Sequence, residues 1–260
     1  MIRNPLGLRL DGDRAARERI QQAARLGARG VVLEATGELA PHRLGQTGRR
    51  DLKHLLRSLE LSLIALHLPT RRAFDTTDQL DDRIRRADSA FAMAFELGTA
   101  IVLARIGPIP TEDDAPRLET LSTAAVALAQ RCDHQGVRLA IEADPETIGR
   151  LRDFLSALNQ PSLAVSVDPT GLLGAGLDPS ATTRELNEWV AHAYAGEAAG
   201  ATTTRNPRGV GRVAGALDWE EYVGALEEIA YHGFLTVWPD PSVDPAAEFQ
   251  AVVDRVARIS

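Results

Sequence analysis

Cysteine and lysine are nearly missing from this chain. Cys132 is the single cysteine in 260 residues. That excludes an internal disulfide, a cysteine-ligated iron–sulfur cluster and a cysteine-rich structural zinc site. Its setting, LAQRCDHQG, places it near a helix end as a small buried hydrophobe rather than a reactive thiol. Lys53 is the only lysine and lies in RRDLKHLLRSLE, an amphipathic helical pattern. Pyridoxal-phosphate enzymes and Schiff-base aldolases need a lysine at the reacting carbon, in a strand-end position that Lys53 lacks. No apolar run approaches the roughly eighteen residues of a membrane span. The stretch MIRNPLGLRLDGDR turns charged too early for a secretory signal. These absences lead us to expect a cytoplasmic protein with no membrane partner. A formal net charge of −7 adds the expectation of no nucleic-acid partner, because binding phosphates needs a concentrated basic face.

What the chain does contain is a repeated switch of hydrophobic period. Strand-like runs fall at Gly7–Leu10, Gly30–Ala35, Leu63–Leu68, Ala100–Ile106, Arg138–Ala143, Leu163–Asp168, Val190–Ala195 and Phe234–Trp238. Helical patterns such as DRAARERIQQAARLG and DQLDDRIRRADSAFAMAFELG separate them, with apolar residues at three- and four-residue steps. Glycines at helix-to-strand joints (Gly27 or Gly30, Gly98, Gly136, Gly233) suit the left-handed position that closes a helix. Runs such as Leu139-Ala140-Ile141 lack clean alternation, as parallel strands covered on both faces do. Roughly eight βα units predict a single-domain α/β fold over residues 1–260, a (β/α)8 TIM barrel. An open doubly wound sheet is second, since LRLDGDRAARER offers no glycine-rich fingerprint after the first strand.

In a barrel, ligands meet the residues at strand C-termini. VRLAIEADPE and LAVSVDPTG each end in a carboxylate, Glu142 and Asp168. Glu34, His67 and Arg105 end the second, third and fourth strands. The seventh offers His192, Tyr194 and Glu197, and the eighth Trp238 and Asp240. Carboxylates and imidazole converging on one mouth suit a hard divalent ion. Plainer roles exist too: His67 as a hydrogen-bonded core histidine, Glu34 and Arg105 as ion-pair partners. The long segment AGEAAGATTTRNPRGVGRVAGALDW carries Arg205, Arg208 and Arg212, which either clamp an anion or stay solvated.

The succession LGARGVVLEA, ALHLPT, LAIEADPE, VSVDPTG, HAYAGEA, GALDWEEYVGALEEIAYHGFLTVW resembles the xylose isomerase-like TIM barrels. That family includes sugar-phosphate isomerases, ketose 3-epimerases and endonuclease IV relatives. The resemblance implies a carbohydrate-like small-molecule ligand and a divalent Mn, Mg or Co ion on four residues: Glu, Asp, His and Glu of strands five to eight. Two glutamates of that set also move a proton beside the substrate carbonyl. Carried over by position, the set becomes Glu142, Asp168, Tyr194 and Trp238, with Glu197 matching the glutamate of a His-x-x-Glu pattern. Gly171 stands where a further histidine is usual. A phenol has a pKa near 10 and binds such ions poorly, and an indole not at all. Strand-end position and resemblance together lead us to expect Glu142 and His67 as catalytic groups, and Glu34, Arg105, Tyr194, Glu197 and Trp238 as substrate contacts. Glu142 and Asp168 remain to hold a metal weakly or not at all. The expected function is a sugar or sugar-phosphate isomerase or epimerase with altered or lost activity. The alternatives are a non-catalytic ligand-binding or scaffold barrel and a metal-free acid/base enzyme, and some relatives suggest a homodimer.

Overall fold

A computed structural model describes residues 4–12, 15–196, 217–240 and 244–259. Its strands are β1 (Leu6–Leu10), β2 (Gly30–Glu34), β3 (Ser62–Leu68), β4 (Ile101–Ala104), β5 (Arg138–Glu142), β6 (Leu163–Val167), β7 (Val190–Ala195) and β8 (Leu235–Val237). They close in sequence order into an eight-stranded parallel barrel, β8 pairing back onto β1. The helices among the described residues are α1 (Ala16–Arg25), α2 (Gln46–Ser58), α3 (Leu80–Leu97), α4 (Ala115–Gln135), α5 (Ile148–Leu158), α6 (Pro169–Gly174), α7 (Pro179–Leu186), α8 (Trp219–Glu228) and α9 (Pro245–Arg258).

Two apolar layers hold this together. Outward strand residues such as Leu8, Leu66, Val102, Ile141 and Val165 pack with helix residues such as Ile20, Phe91, Leu128 and Phe249 into the larger core. Inward residues Val32, Ala65, Leu103, Ala140, Ala164 and Tyr194 form a separate cluster inside the barrel. The period of two along each strand makes this division, since alternate side chains take opposite faces. Register shifts at Val31/Val32 and at Val165/Ser166 supply stagger as the sheet closes.

At the glycine joints, the ends of α3 and α4 follow the expected chemistry and the end of α8 does not. Gly98 (φ 93°) and Gly136 (φ 70°) close α3 and α4 in the left-handed region, where a side chain would be strained. Behind α8 that conformation falls on Ala230 (φ 55°) rather than on Gly233. Cys132 lies fully buried in the last turns of α4, where burial pushes its thiol up to about 12, so it stays protonated and inert. Strands β2, β4, β5, β6 and β8 are shorter than their apolar runs, which leaves Arg105, Asp168 and Trp238 just beyond β4, β6 and β8. No helix among the described residues is long and apolar enough to cross a membrane.

Candidate functional site

Strand parity brings Arg9, His67, Arg105, Glu142, Tyr194 and Trp238 to one mouth of the barrel. At its centre is Arg9, whose side chain is 3 % exposed. Its Nη1 donates to Glu142 Oε1 at 2.7 Å and to the Tyr194 hydroxyl at 2.5 Å. Nε donates to Asp11 Oδ1 at 2.7 Å, and Nη2 lies 3.0 Å from His67 Nδ1. Trp238 covers the guanidinium face, its ring centroid 3.8 Å from Arg9 Cζ, and its indole N–H donates to Asp11 Oδ2 at 2.5 Å. A guanidinium bonded in its plane and stacked on its face has exchanged its hydration for fixed partners.

Glu142 is equally engaged. Oε1 accepts from Arg9 and, at 2.8 Å, from the Tyr194 hydroxyl. Oε2 lies 3.2 Å from His67 Nε2 and 4.0 Å from Arg105 Nε. A guanidinium can only donate, so His67 Nδ1 is the acceptor toward Arg9, and His67 Nε2 carries the proton it gives to Glu142. Burial alone would raise the Glu142 pKa. His67, Arg9 and the Tyr194 hydroxyl outweigh it and hold the carboxyl well below the usual carboxylate range. For Tyr194 the balance runs the other way: burial, then the charge of Glu142, push the phenol well above its ordinary value. Burial would lower the Arg9 pKa, but its contacts with the Tyr194 hydroxyl and with the Glu142 and Asp11 carboxylates overcome this and raise it.

One layer deeper lies His192, inward as its parity with Tyr194 requires. Its ring meets that of Tyr194 edge-on at 4.6 Å. Nδ1 is 2.8 Å from the Ser166 hydroxyl and Nε2 2.9 Å from the Thr236 hydroxyl. Burial, the largest influence, pulls its pKa down to about 3, so it is neutral at any physiological pH.

Asp168 caps α6, its Oδ1 accepting from the Thr170 backbone N–H at 3.1 Å. Glu34 accepts from the Gly12 backbone N–H at 3.2 Å. Asp240 stands behind Pro239, and its backbone N–H donates to Glu248 Oε2 at 2.7 Å. Glu197, Arg205, Arg208 and Arg212 lie outside the described residues. Arg9 and Asp11 are absent from the strand-end reading, although the signal was legible. A charge inside LGLRL, in phase with Gly7, must point into the barrel, and Asp11 continues that phase.

Asp11, Glu34 and His67 each place a donor atom within 4.8 Å of the others, a spacing compatible with a divalent ion. The chemistry of these donors does not fit one while Arg9 is present. Asp11 gives its oxygens to Arg9 and Trp238, and both nitrogens of His67 are spent. At Glu142 a cation would displace Arg9 or sit against its charge, and Tyr194 holds its proton.

Comparison with known proteins fits this architecture. Residues 20–258 match the family model described as xylose isomerase-like TIM barrel. The chain belongs to that family. Among solved structures, the xylose isomerase-like barrel is similar to a xylose isomerase domain protein from Planctomyces limnophilus. The TM-score there is 0.80 at 16 % identity, over 98 % of this chain and 95 % of the other. A D-psicose 3-epimerase with D-tagatose from Clostridium cellulolyticum H10 superposes at TM-score 0.75 and 15 % identity, over 98 % and 99 % of the two chains. A D-allulose 3-epimerase from Methylomonas sp. in complex with D-allulose gives 0.75 at 17 % identity, over 100 % and 98 %. A search of curated proteins returned no match.

Proposed function

We propose that this xylose isomerase-like barrel binds a sugar at its strand-end mouth, with the family's divalent-metal site altered and isomerase or epimerase turnover altered or lost. The observation that carries this reading is the condition of Glu142. It stands where the family resemblance puts a metal ligand and base, yet Arg9, Tyr194 and His67 bond both its oxygens. A carboxylate held so far toward ionisation is a weak base, since efficient proton abstraction needs a pKa near the working pH. The same contacts weigh against a metal-free enzyme using His67, whose acceptor nitrogen faces Arg9. Glu142 and His67 are thus proposed to orient ligand hydroxyls, with Glu34, Arg105, Tyr194, Trp238 and Glu197 as further contacts and Asp168 outside any metal shell.

Trp238, partly buried at the rim, supplies an aromatic surface of the kind that stacks on sugar rings. Among the described residues, Asp11, Glu34 and Glu142 face Arg9 and Arg105, an excess of acid that favours an uncharged sugar over a sugar phosphate. The test is saturation-transfer NMR with D-allulose, D-tagatose, D-fructose and their phosphates, with chromatography of the same mixtures for epimers. Expected is saturation of a free ketose that weakens several-fold in Trp238→Ala, with little or no epimer whether Mn²⁺ or a chelator is present. Absence of binding by every sugar and phosphate removes the carbohydrate reading, and rapid Mn²⁺-dependent epimerisation removes the altered-site reading.

A further inference from the structure

We propose that the Arg9 guanidinium is the resident cation of this mouth, standing in the place of a divalent ion, so that the site works at fixed charge and without metal. The inference deepens the ligand-binding reading above and rests on it only for the mouth's being a binding site.

The groups around Arg9 are ones a divalent ion uses. Asp11, Glu34 and His67 already lie within 4.8 Å of one another, and Glu142 Oε2 is 3.2 Å from His67 Nε2. Two carboxylates and an imidazole drawn together, with a third carboxylate against the imidazole, are groups that Mn²⁺, Co²⁺ or Mg²⁺ takes as ligands. Arg9 reaches Asp11 at 2.7 Å, Glu142 at 2.7 Å and His67 at 3.0 Å, so one positive group touches three members of that set. The wall is adapted to a planar cation rather than a spherical one. Trp238 lies over the guanidinium at 3.8 Å, an arrangement suited to a flat, weakly hydrated ion. Tyr194 accepts from Nη1 while donating to Glu142, a relay that needs the phenol proton and therefore no metal at that position.

A guanidinium differs from a metal in what it offers a ligand. It contributes N–H donors in fixed directions, and it neither exchanges nor lowers the pKa of a bound water as a metal does. Polar ligand oxygens are therefore oriented without activation of water, in keeping with binding that outlasts chemistry.

The experiment compares purified wild-type protein with Arg9→Met, reading metal content by mass spectrometry and thermal midpoint with excess Mn²⁺ or EDTA. Wild type is expected to hold no stoichiometric ion and to keep its midpoint under both treatments. Arg9→Met is expected to melt lower and to recover part of the loss with Mn²⁺, because an ion binding only the folded state raises the midpoint by mass action. A stoichiometric ion in wild type that is lost in Glu142→Gln overturns the proposal. A folded Arg9→Met indifferent to Mn²⁺ also overturns it. If Arg9→Met does not fold, the wild-type metal content and midpoints decide. Ketose binding separates the two claims: binding with a stoichiometric metal refutes the resident cation alone, and a metal-free protein that binds no sugar refutes the carbohydrate reading alone.

Discussion

At the scale of single residues, the mouth is governed by what each strand-end acid does with its oxygens. Glu142 and Asp168 look alike in sequence, each ending an apolar run, yet they sit in opposite situations. Glu142 is buried against two donors and a guanidinium, and its ionisation is a condition of the surrounding network. Asp168 leads into Pro169 and the first turn of α6, where a carboxylate at the cap position accepts an otherwise unpaired backbone N–H. Asp168→Ala is therefore expected to cost about 1 kcal/mol of stability, the usual loss for an N-cap. Urea unfolding with and without Mn²⁺ measures it. The same loss under both conditions fits a cap, whereas a deficit that grows with Mn²⁺ gives Asp168 a place in a metal shell.

At the scale of elements, period-two phase carried most of what could be read in advance. The barrel, the order of its strands and the inward aim of His67, Glu142, Tyr194 and His192 follow from apolar runs alternating with helical patterns. Phase also predicts that His192 lies a layer below Tyr194, as it does. Arg9 escapes because strand-end rules look only at residues that close or follow a strand, and it stands one residue short of the end of β1, where its phase alone marks it as inward. The pairing of Arg9 with Glu142 joins residues 133 apart, and no local pattern encodes a partner at that distance. Helices α6 and α7 are likewise illegible in sequence, because PTGLLG and PSATTREL are too short for a helical period to stand out. The packing at the floor of the barrel is equally hidden from local sequence. Gly30 sits where a Cβ would lie 2.7 Å from Ile64 Cγ1 and 2.8 Å from Phe234 Cε1. Those two side chains fill the space the missing methyl leaves. Gly30→Ala is expected to overpack this layer and cost about 1–3 kcal/mol. In chemical denaturation that appears as a lower midpoint with an unchanged slope. An unaltered midpoint shows that Ile64 and Phe234 have room to yield.

At the scale of the whole molecule, the barrel encloses a polar column from the Ser166–His192–Thr236 layer up through Tyr194 to Glu142, Arg9 and Asp11. Its protonation state is set by folding, and this ties stability to pH. Two groups in the column titrate lower in the folded protein than in the unfolded chain. His192 falls to about 3 through burial, and Glu142 falls below the carboxylate range through its contacts with His67, Arg9 and Tyr194. For each, the unfolded chain binds the proton first as the pH drops, so stability is fully present above the unfolded pKa and declines below it. The His192 window opens near the ordinary histidine value of about 6.5 and runs toward about 3, and the Glu142 window opens only near the ordinary carboxylate value. Between about pH 6 and pH 4.5 the loss attributable to His192 approaches about 1.4 kcal/mol per pH unit. His192→Gln keeps a neutral donor and acceptor toward Ser166 and Thr236 while removing the site that takes the proton. Urea midpoints of the two proteins at about pH 7 and about pH 5 isolate the effect, since every other titrating group is common to both. The wild type is expected to lose more stability over that interval than His192→Gln does. Parallel losses in the two would place the proton elsewhere and release His192 from the control of acid stability.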